Sequence, residues 1–375
     1  MSISAAALRR SIHAHPDMSG DEKATADRLR DYFAGLGHNN IIDAIGGTGL
    51  AVVIAGQATG PTIMLRAELD ALPIEEPNSF SHRSTRPGIS HKCGHDGHMA
   101  ILAEVGRRLT GMPLSSGRVV LLFQPAEETG KGALDILNDP LFGQIKPDQV
   151  YALHNLPGVA LGDVVCRPGT FSCASRGVHI HLRGLETHAA QPEHGTSPSR
   201  AIRRLLQMIE SSNEHHATDG GLDFATVTHL KMGSESFGIA PGSAHMMLTL
   251  RSEHDAKMAE MLDELADQLK QICGQEKIDC AITFDDVFPA TINDSGAFER
   301  IRAAIPANRL TNAKRPFRWS EDFGHFTSRF PGAMFGIGAG AEIPALHHPE
   351  YDFPDGLIDP AADIFMQIVM ATSGR

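Results

Sequence analysis

The sequence predicts a two-domain α/β protein, in which a mostly parallel sheet covered by helices on both faces carries an inserted ferredoxin-like βαββαβ domain. Short apolar runs that alternate with amphipathic helical patterns predict the sheet, because strands buried on both faces need apolar side chains throughout. A change in the order of strand and helix patterns predicts the inserted domain. The length of 375 residues and the hydrophobic content of 42% are sufficient for two cores.

The larger domain begins with a predicted helix and continues with strands. Ser19 and Glu22 have the spacing of a capping box, apolar residues at helical spacing extend to Leu36, and Gly35 or Gly37 ends the helix. The predicted strands are short and apolar. They span residues 50–55, 62–65, 118–123, 150–153 and 333–337.

The smaller domain is predicted from four strands and two helices. The first helix starts at Ser197 and Pro198, where an N-cap residue precedes a proline at the first helical position. The second helix has apolar residues from Met258 onwards at helical spacing and stops at Gly274. The strands span residues 177–182, 224–230, 245–250 and 278–284.

These elements set the expected domain boundaries. Residues 175–287 form the inserted domain, whereas residues 1–174 and 288–375 together form the larger domain. The candidate metal-binding residues described below concentrate in the larger domain, so we expect it to be catalytic.

The overall composition excludes several classes of protein. No stretch approaches the ~18 uninterrupted apolar residues of a membrane span, and the N-terminus lacks a secretory signal, so we expect a cytoplasmic protein with no membrane partner. The net charge of −12 without a basic block argues against a nucleic-acid partner. Five irregularly spaced cysteines argue against a disulfide framework and leave Cys93 free as a ligand or reactive thiol. The remaining cysteines are predicted to be packing residues: Cys166, Cys173, Cys273 and Cys280.

The densest group of chemically active side chains lies at residues 93–98, where Cys93, His95, Asp96 and His98 are interspersed with two glycines. Residues two apart cannot share one face of a helix, so Cys93 and His95 are predicted on a loop, directly before an amphipathic helix. This density of thiol, imidazole and carboxylate is typical of a metal site. A polar turn at the start of a helix is the alternative interpretation.

Two adjacent acids, Glu127 and Glu128, follow the strand predicted at residues 118–123. In open α/β sheets, ligands bind at the carboxyl ends of the strands. Neighbouring residues on an extended or turning backbone point in different directions, so one acid can hold a metal while the other faces an attacking water. The alternative is a pair of solvated acids that interact with the dipole of a following helix.

Histidines follow two further predicted strands. His154 comes directly after residues 150–153, and His347 and His348 come after residues 333–337. Taken singly, each is equally explained by a structural hydrogen bond. Together the clusters supply a thiol, several imidazoles and two carboxylates, which suit Zn²⁺ or Mn²⁺ better than Ca²⁺ or Mg²⁺.

One histidine of the smaller domain is a candidate for a lid residue that covers the predicted metal site. His188 lies on a loop between a strand and a helix, which suits a lid; a histidine of an ordinary surface loop is the alternative. Six further histidines of this domain have no comparable neighbours in the sequence and receive no role: His179, His181, His194, His215, His216 and His245.

At this point the chain resembles the cocatalytic metallo-amidohydrolases, a family that includes bacterial hippurate hydrolases, N-acyl-amino-acid amidohydrolases and plant auxin-conjugate hydrolases. The resemblance covers nearly the whole chain. Its motifs are, in chain order, His13-Ala-His15-Pro16, Arg66-Ala-Glu68-Leu-Asp70-Ala-Leu-Pro73, the cluster at residues 93–98, Gln124-Pro-Ala-Glu127-Glu128, His154-Asn-Leu-Pro157, His188-Ala-Ala-Gln-Pro192, Ser320-Glu321-Asp322-Phe323 and His347-His348-Pro349.

The resemblance implies a zinc-peptidase-like catalytic domain and a metal-dependent hydrolase that cleaves the amide bond of N-acyl amino acids, either hippurate-like or N-acetylated. It implies two divalent ions per subunit, with Cys93 as the bridge between them. The ions are Zn²⁺ or Mn²⁺, with Co²⁺ or Ni²⁺ as alternatives. The implied ligands are Cys93, His95, Glu128, His154 and His347.

Three further roles follow from the resemblance. Glu127 is implied as the general base, and His188 as the lid residue that polarises the scissile carbonyl, which in dimeric relatives it can reach from the partner subunit. Arg251 matches a position that grips the substrate carboxylate in some relatives. The inserted domain is thus a lid through which a homodimer could form. The choice of His347 over His348 follows the family pattern Leu-His-x-Pro and not the spacing.

Two positions depart from the family pattern. Glu68 stands where the motif Arg-Ala-Asp-Met-Asp has a shorter acid, and Gly238-Ile-Ala-Pro241 stands where many relatives have Asn-Val-Ile-Pro. An amide that could assist substrate binding is therefore absent, and the acyl group and amino acid of the substrate stay open.

Three alternative functions also stay open. A dipeptidase or carboxypeptidase of the same fold would use the same centre. A thiol hydrolase would use Cys93 as its nucleophile with a histidine as base. A non-catalytic relative would keep the ligands without turnover.

Overall fold

The computed structural model describes residues 3–112, 114–218 and 221–373, and of residues 214–218 the backbone alone. The helices of this part of the chain are α1 Ala5–His13, α2 Lys23–Gly35, α3 His95–Thr110, α4 Gly132–Asn138, α5 Phe142–Ile145, α6 Ser199–Thr218, α7 Asp255–Glu276, α8 Ser295–Ala304, α9 Gly324–Thr327 and α10 Ile358–Ser373. The strands are β1 Ile41–Ile45, β2 Gly49–Ala55, β3 Ala58–Glu68, β4 Ser116–Gln124, β5 Gln149–Pro157, β6 Val164–Cys166, β7 Gly169–Ser172, β8 Ala174–Arg183, β9 Thr187–His188, β10 Phe224–Met232, β11 Ile239–Ala240, β12 Ser243–Ser252, β13 Asp279–Phe288, β14 Thr291–Asn293, β15 Leu310–Asn312 and β16 Gly332–Gly340.

The chain forms two compact units. Unit 1 comprises Met1–Phe171, Thr291–Arg315 and Asp322–Arg375, and unit 2 comprises Ser172–Ala290 and Pro316–Glu321. The junctions near residues 171 and 291 lie close to the boundaries expected from the sequence. The short segment 316–321, expected in the larger domain, packs with unit 2 instead. The catalytic and lid roles of the units stay predictions.

An eight-stranded sheet forms the centre of unit 1, in the order β1-β2-β4-β3-β5-β16-β6-β15. Its middle strands are parallel, since β3 pairs in parallel with β4 and β5, and β16 with β5. Antiparallel pairs join β1 to β2, β2 to β4 and β6 to β16. The predicted mostly parallel sheet is confirmed, and its central strands bring their carboxyl ends to one edge, where ligands bind in such folds.

Both faces of this sheet are buried. Val52 and Leu65 belong to the hydrophobic core that also contains residues of α1, α2, α3 and α10. Met64 and Leu122, which alternate with them on the opposite face, are fully buried as well. Each such side chain contributes about 1.5–3 kcal/mol when it leaves water, which explains why the middle of these strands is apolar on both faces.

Unit 2 has a four-stranded antiparallel sheet in the order β10-β12-β8-β13. The chain order β8, α6, β10, β12, α7, β13 confirms the predicted βαββαβ pattern, and the short strands β9 and β11 form a separate ribbon. Val178, Ile180 and Leu182 of β8 are buried with apolar residues of α6 and α7, so these two helices cover one face of the sheet.

Two local predictions are wrong. Ser19 does not cap α2, which follows Glu22; the hydroxyl of Ser19 donates to Asp70 Oδ2 at 2.7 Å instead. Gly274 does not end α7, because the helix continues to Glu276 and its C-cap is Lys277, which takes the left-handed conformation with φ 55°. Within the described residues, no helix is both long and apolar enough to cross a lipid bilayer.

Candidate metal centre

Polar side chains gather at the edge of the unit 1 sheet where the central strands end. β3 leads to Asp70, β4 leads to Glu127 and Glu128, and β5 carries His154 near its end. α3 adds His95 as its first residue. Because parallel strands end at a common edge, these segments meet although they are far apart in the sequence.

Cys93, His95 and His154 form the middle of this group. All three are buried, their ligand atoms lie within 4.8 Å of one another, and Cys93 Sγ is 3.6 Å from His154 Nε2. Cys93 lies on the predicted loop, whereas the prediction for His95 is wrong: Gly94, with φ 92°, turns the chain directly into α3. A Cβ at Gly94 would lie 2.7 Å from the Asn155 side chain, so only glycine fits between the two residues.

Hydrogen bonds orient both imidazoles. His95 Nδ1 lies 2.9 Å from the carbonyl oxygen of Asp70, and His154 Nδ1 lies 3.0 Å from the carbonyl oxygen of Asn155. A carbonyl oxygen only accepts, so each Nδ1 donates its hydrogen, and the neutral ring keeps a lone pair on Nε2. These Nε2 atoms belong to the group around Cys93. A histidine fixed through one nitrogen in this way is ready to bind a metal through the other.

Glu127 and Glu128 follow a tight turn at the end of β4. Ala126 has φ 50°, a conformation rare for L-residues, and its N–H donates to Glu22 Oε1 at 2.8 Å. His95 Nε2 is 3.8 Å from Glu127 Oε2 and 3.9 Å from Glu128 Oε1. These separations are too long for hydrogen bonds, and the three side chains form one of the groups whose ligand atoms lie within 4.8 Å of one another.

His347 joins the group from the loop after β16. Its Nε2 is 3.9 Å from Glu128 Oε1, and the ligand atoms of Cys93, Glu128 and His347 lie within 4.8 Å of one another. Its backbone has φ 64°, and its N–H donates to the carbonyl oxygen of Lys92 at 2.8 Å. Cys93 belongs both to this group and to the one with the two buried histidines, so its sulfur is the atom they share. In the described part of the chain, His348 belongs to no such group.

The protonation of these groups depends strongly on burial. Burial raises the pKa of the Cys93 thiol to about 12, and the nearby Glu128 carboxylate adds to this rise. Burial lowers the pKa of His154 to about 3 and also lowers the pKa of His347. Burial opposes protonation of His95 too, but the Cys93 sulfur beside it holds its pKa well above the ordinary value. A thiolate at Cys93 therefore needs a cation beside it, as a bound metal ion provides.

A buried polar network supports the ligands. His98 has Nδ1 at 2.6 Å from Glu68 Oε2 and Nε2 at 2.6 Å from Asn155 Oδ1, so neighbouring side chains engage both of its nitrogens. Glu68, the longer acid, also pairs with Arg66. Burial opposes ionisation of Glu68, but the charges of Arg66 and His98 hold its pKa well below the ordinary range. Of the two histidines in the cluster at residues 93–98, the one left to bind an ion is therefore His95.

A second network joins the start of α3 to α1. Asp96 Oδ2 lies 2.8 Å from Arg9 Nε and 2.8 Å from His13 Nδ1, and His13 Nε2 lies 3.1 Å from Glu76 Oε1. Burial opposes protonation of His13, but the Asp96 carboxylate raises its pKa to about 9. Burial likewise opposes ionisation of Glu76, whose hydrogen bonds with His13 and Lys92 lower its pKa to about 2. Asp96 thus anchors the first turn of the helix that presents His95.

The two remaining candidates lie in unit 2. His188 is exposed in β9, and its Nδ1 accepts the N–H of Ala190 at 3.0 Å. Arg251, in β12, donates from Nη1 to the carbonyl oxygen of Arg318 and to Ser320 Oγ, each at 2.9 Å. Burial lowers the pKa of Arg251. These contacts hold the guanidinium within unit 2.

The structure brings the five implied ligands and Glu127 together in unit 1. Asn155 and Tyr351 have no predicted role. The Asn155 amide donates to the Tyr351 hydroxyl and accepts from His98, and its backbone orients His154. Asn155 could have been found by its place beside His154, but its partners are far away in the chain. The side chains of His215 and His216, which also received no role, lie outside the described residues.

Comparisons with known proteins find a matching family and several relatives. The family model described as peptidase family M20/M25/M40 matches residues 64–371. An N-acetyldiaminopimelate deacetylase of Exiguobacterium sibiricum is 28% identical over 342 residues, which cover 91% of this chain and 92% of that protein. An N-acetyl-L-cysteine deacetylase of Bacillus subtilis is 28% identical over 357 residues, which cover 95% of this chain and 85% of that protein.

A solved structure shares the fold. The crystal structure of a dinuclear metal-binding peptidase of the M20 family from Bacillus subtilis superposes with a TM-score of 0.83 at 22% sequence identity. The superposition covers 98% of this chain and 97% of that one, so both units are represented in it.

Proposed function

The chain belongs to peptidase family M20/M25/M40 and is a metal-dependent hydrolase of amide bonds, and we propose that it removes the acyl group from N-acyl amino acids. The two relatives described above are both named as deacetylases of N-acetylated amino acids. Their names support this substrate class.

The observation that carries the proposal is the convergence of Cys93, His95 and His154 with their ligand atoms within 4.8 Å of one another. Thiolate, imidazole and carboxylate donors together suit Zn²⁺ or Mn²⁺, with Co²⁺ or Ni²⁺ as substitutes. Cys93 lies in two ligand groups, which supports its role as the bridge between two ions. The proposed ligands are Cys93, His95, Glu128, His154 and His347, each of which belongs to a possible ligand group.

Bound divalent ions would lower the pKa of a water molecule and polarise the amide carbonyl. Glu127 would act as the general base, and the distance of 3.8 Å between its Oε2 and His95 Nε2 supports this role. Its carboxylate takes the proton from the attacking water and then delivers it to the departing amine nitrogen. Glu128, one residue on, is left to hold an ion, which is the division of labour expected for the two acids.

Two residues of unit 2 complete the proposal. Nδ1 of His188 accepts a hydrogen bond, so the neutral ring carries its proton on Nε2 and can donate it to the oxygen on which charge develops. Arg251 would bind the carboxylate of the amino acid, for which a guanidinium provides paired donors. Unit 2 would then act as the lid, and the proposal allows for a homodimer formed through it.

A substrate panel tests the proposal. Protein loaded with Zn²⁺ or Mn²⁺ is assayed with N-acetyl amino acids, N-benzoylglycine and unmodified dipeptides, and release of the free amino acid is measured. We expect turnover of N-acyl amino acids. Turnover of dipeptides alone would replace the proposal with a peptidase function, and no turnover with metal bound would indicate a non-catalytic relative.

A further inference from the structure

Four histidines share the open face of the unit 2 sheet. His179 and His181 alternate along β8 with core residues that pack against α6 and α7, so they lie on the opposite face. His245 of β12 is paired directly with His181, and Met247 is paired with both His179 and His229. His179, His181 and His245 have no such neighbours along the sequence, and strand pairing brings them together.

The rings of this cluster, which we call the sheet-face histidines, are in direct contact. His179 Nδ1 is 3.2 Å from His245 Nε2. The ring centroid of His245 is 4.5 Å from that of His181, 5.5 Å from that of His179 and 5.6 Å from that of His229. His245 is thus the central member, and one pair of nitrogens already has the separation of two ligands bound to one ion at about 2.0–2.1 Å.

The surroundings decide which ion this face would take. A cleft of about 280 Å³ beside the histidines is lined by His181, Arg183, Lys231 and His245, among others. In the described part of the chain, this lining contains no acidic side chain. Hard ions such as Mg²⁺ and Ca²⁺ prefer oxygen ligands and would be repelled by the charged side chains of Arg183 and Lys231. Cu²⁺, Ni²⁺ and Zn²⁺ bind imidazole strongly enough to compete with that repulsion.

We propose that the sheet-face histidines bind one nitrogen-preferring transition-metal dication, Cu²⁺, Ni²⁺ or Zn²⁺, at a second metal site outside the hydrolytic centre. His179 and His245 are its paired ligands, and His181, which alternates with His179 on one strand and lies opposite His245, is the third. These three histidines lie on one face of the sheet, since alternate residues of a strand share a face and paired residues of neighbouring strands lie side by side. The nitrogens of His179 and His245 are already 3.2 Å apart, and the His181 ring would turn about its side-chain bonds to join them.

The charge state of the cluster is consistent with metal binding. Burial and the neighbouring imidazoles of His181, His179 and His229 lower the pKa of His245. A neutral imidazole is the form that binds metal. Lys231, which is paired with His245, and Arg183 are the charged groups that line the adjoining cleft. All of these residues lie in unit 2, so the site does not depend on the proposed hydrolase function.

The test is a titration with Cu²⁺ of the full-length protein, whose hydrolytic centre has been loaded beforehand with Zn²⁺. Bound Cu²⁺ is counted by calorimetry, and its nitrogen ligands are identified by electron paramagnetic resonance. Wild-type protein, H179N and H245N are compared with H194N, which removes an exposed histidine elsewhere in unit 2. Circular dichroism verifies that every variant is folded.

We expect wild-type protein and H194N to bind one additional Cu²⁺ with nitrogen coordination. Loss of a direct ligand should weaken metal affinity at least as much as loss of a residue that only orients a ligand. H179N and H245N should therefore bind the additional Cu²⁺ about 10–100-fold more weakly. Equal Cu²⁺ affinity in all four proteins would overturn the site. A parallel titration with inorganic phosphate tests the alternative. If the protein binds phosphate and no additional Cu²⁺, the metal site is also overturned, since the cleft would then be an anion site of Lys231 and Arg183.

Discussion

His188 lies directly opposite Ile239 in the ribbon formed by β9 and β11. The N–H of Ala189 also donates to the carbonyl oxygen of Gly238 at 3.0 Å, so the backbone ties His188 to the segment in which the family amide is missing. The departure at Gly238–Pro241 is therefore beside the proposed oxyanion donor, where it can alter which substrates are accepted. The polarising role itself needs only the Nε2 proton of His188.

The first prediction concerns that proton. Removal of one oxyanion donor typically costs about 10²–10³ in kcat, so His188→Ala should lose that much turnover of an N-acyl amino acid. The side chain is exposed, and the variant should fold normally. Steady-state kinetics and circular dichroism check both expectations.

The matched control is His194→Ala, which removes another exposed histidine of unit 2. It should keep wild-type kcat. Near-normal turnover in His188→Ala would refute its role in the reaction.

The second prediction separates catalysis from metal binding. Glu127→Gln removes the carboxylate that accepts a proton but keeps its shape, so kcat should fall by about 10²–10⁴ while the metal content stays unchanged. Elemental analysis and kinetics on the same preparation measure both. Glu342→Gln, at an exposed acid, is the control. Wild-type turnover in Glu127→Gln would eliminate it as the base.

The third prediction is the effect of metal removal. Dialysis against a chelator should abolish amide hydrolysis, and Zn²⁺ or Mn²⁺ should restore it. Without a cation, burial keeps the Cys93 thiol protonated, with a pKa of about 12, and a protonated thiol is a poor nucleophile. Activity that survives the chelator but disappears after thiol alkylation would favour the thiol hydrolase instead.

The fourth prediction uses the pKa of His13. Its value of about 9 lies above the ordinary 6.5, so its protonation stabilises the fold, fully below pH 6.5 and progressively less as the pH rises through about 9. The difference between these two pKa values corresponds to about 3 kcal/mol in the free energy of unfolding. Glu76, with a pKa of about 2 against an ordinary 4.5, stabilises above pH 4.5 and loses this effect as the pH falls through about 2.

Thermal unfolding of the metal-loaded protein should therefore show the largest difference in Tm between wild type and His13→Gln at pH 4.5–6.5, shrinking by pH 9. His15→Gln, two residues later and exposed, is the control. A difference independent of pH would show that His13 contributes by packing alone.

The fifth prediction tests the close approach at Gly94. Gly94 has φ 92°, and Gly94→Ala places a Cβ 2.7 Å from the Asn155 amide. The variant should therefore shift the neighbouring ligands Cys93 and His95 and weaken metal binding. Gly37→Ala has a similar φ of 90° with nothing within 4 Å of its Cβ, and isolates the cost of the backbone conformation, about 1–2 kcal/mol. Equal losses in metal affinity for both variants would contradict a packing constraint at Gly94.

The sequence by itself determined the class of the fold and the kinds of group at the centre. Periodicity located the central strands and the βαββαβ order of unit 2, since burial on one or both faces leaves a pattern in the chain. The clusters at residues 93–98 and at Glu127 and Glu128 showed the donor chemistry, and the family resemblance supplied the choice of His347 over His348.

Only the tertiary structure decided how those groups are oriented and which distant residues they meet. The lone pair of His95 is directed by a carbonyl 25 positions earlier in the chain, and His98 is withheld from metal by Glu68 and Asn155. The sheet-face histidines appear only once β8 and β12 are in register. Hydrogen-bond direction and strand pairing depend on contacts between residues far apart in sequence, which local patterns do not encode.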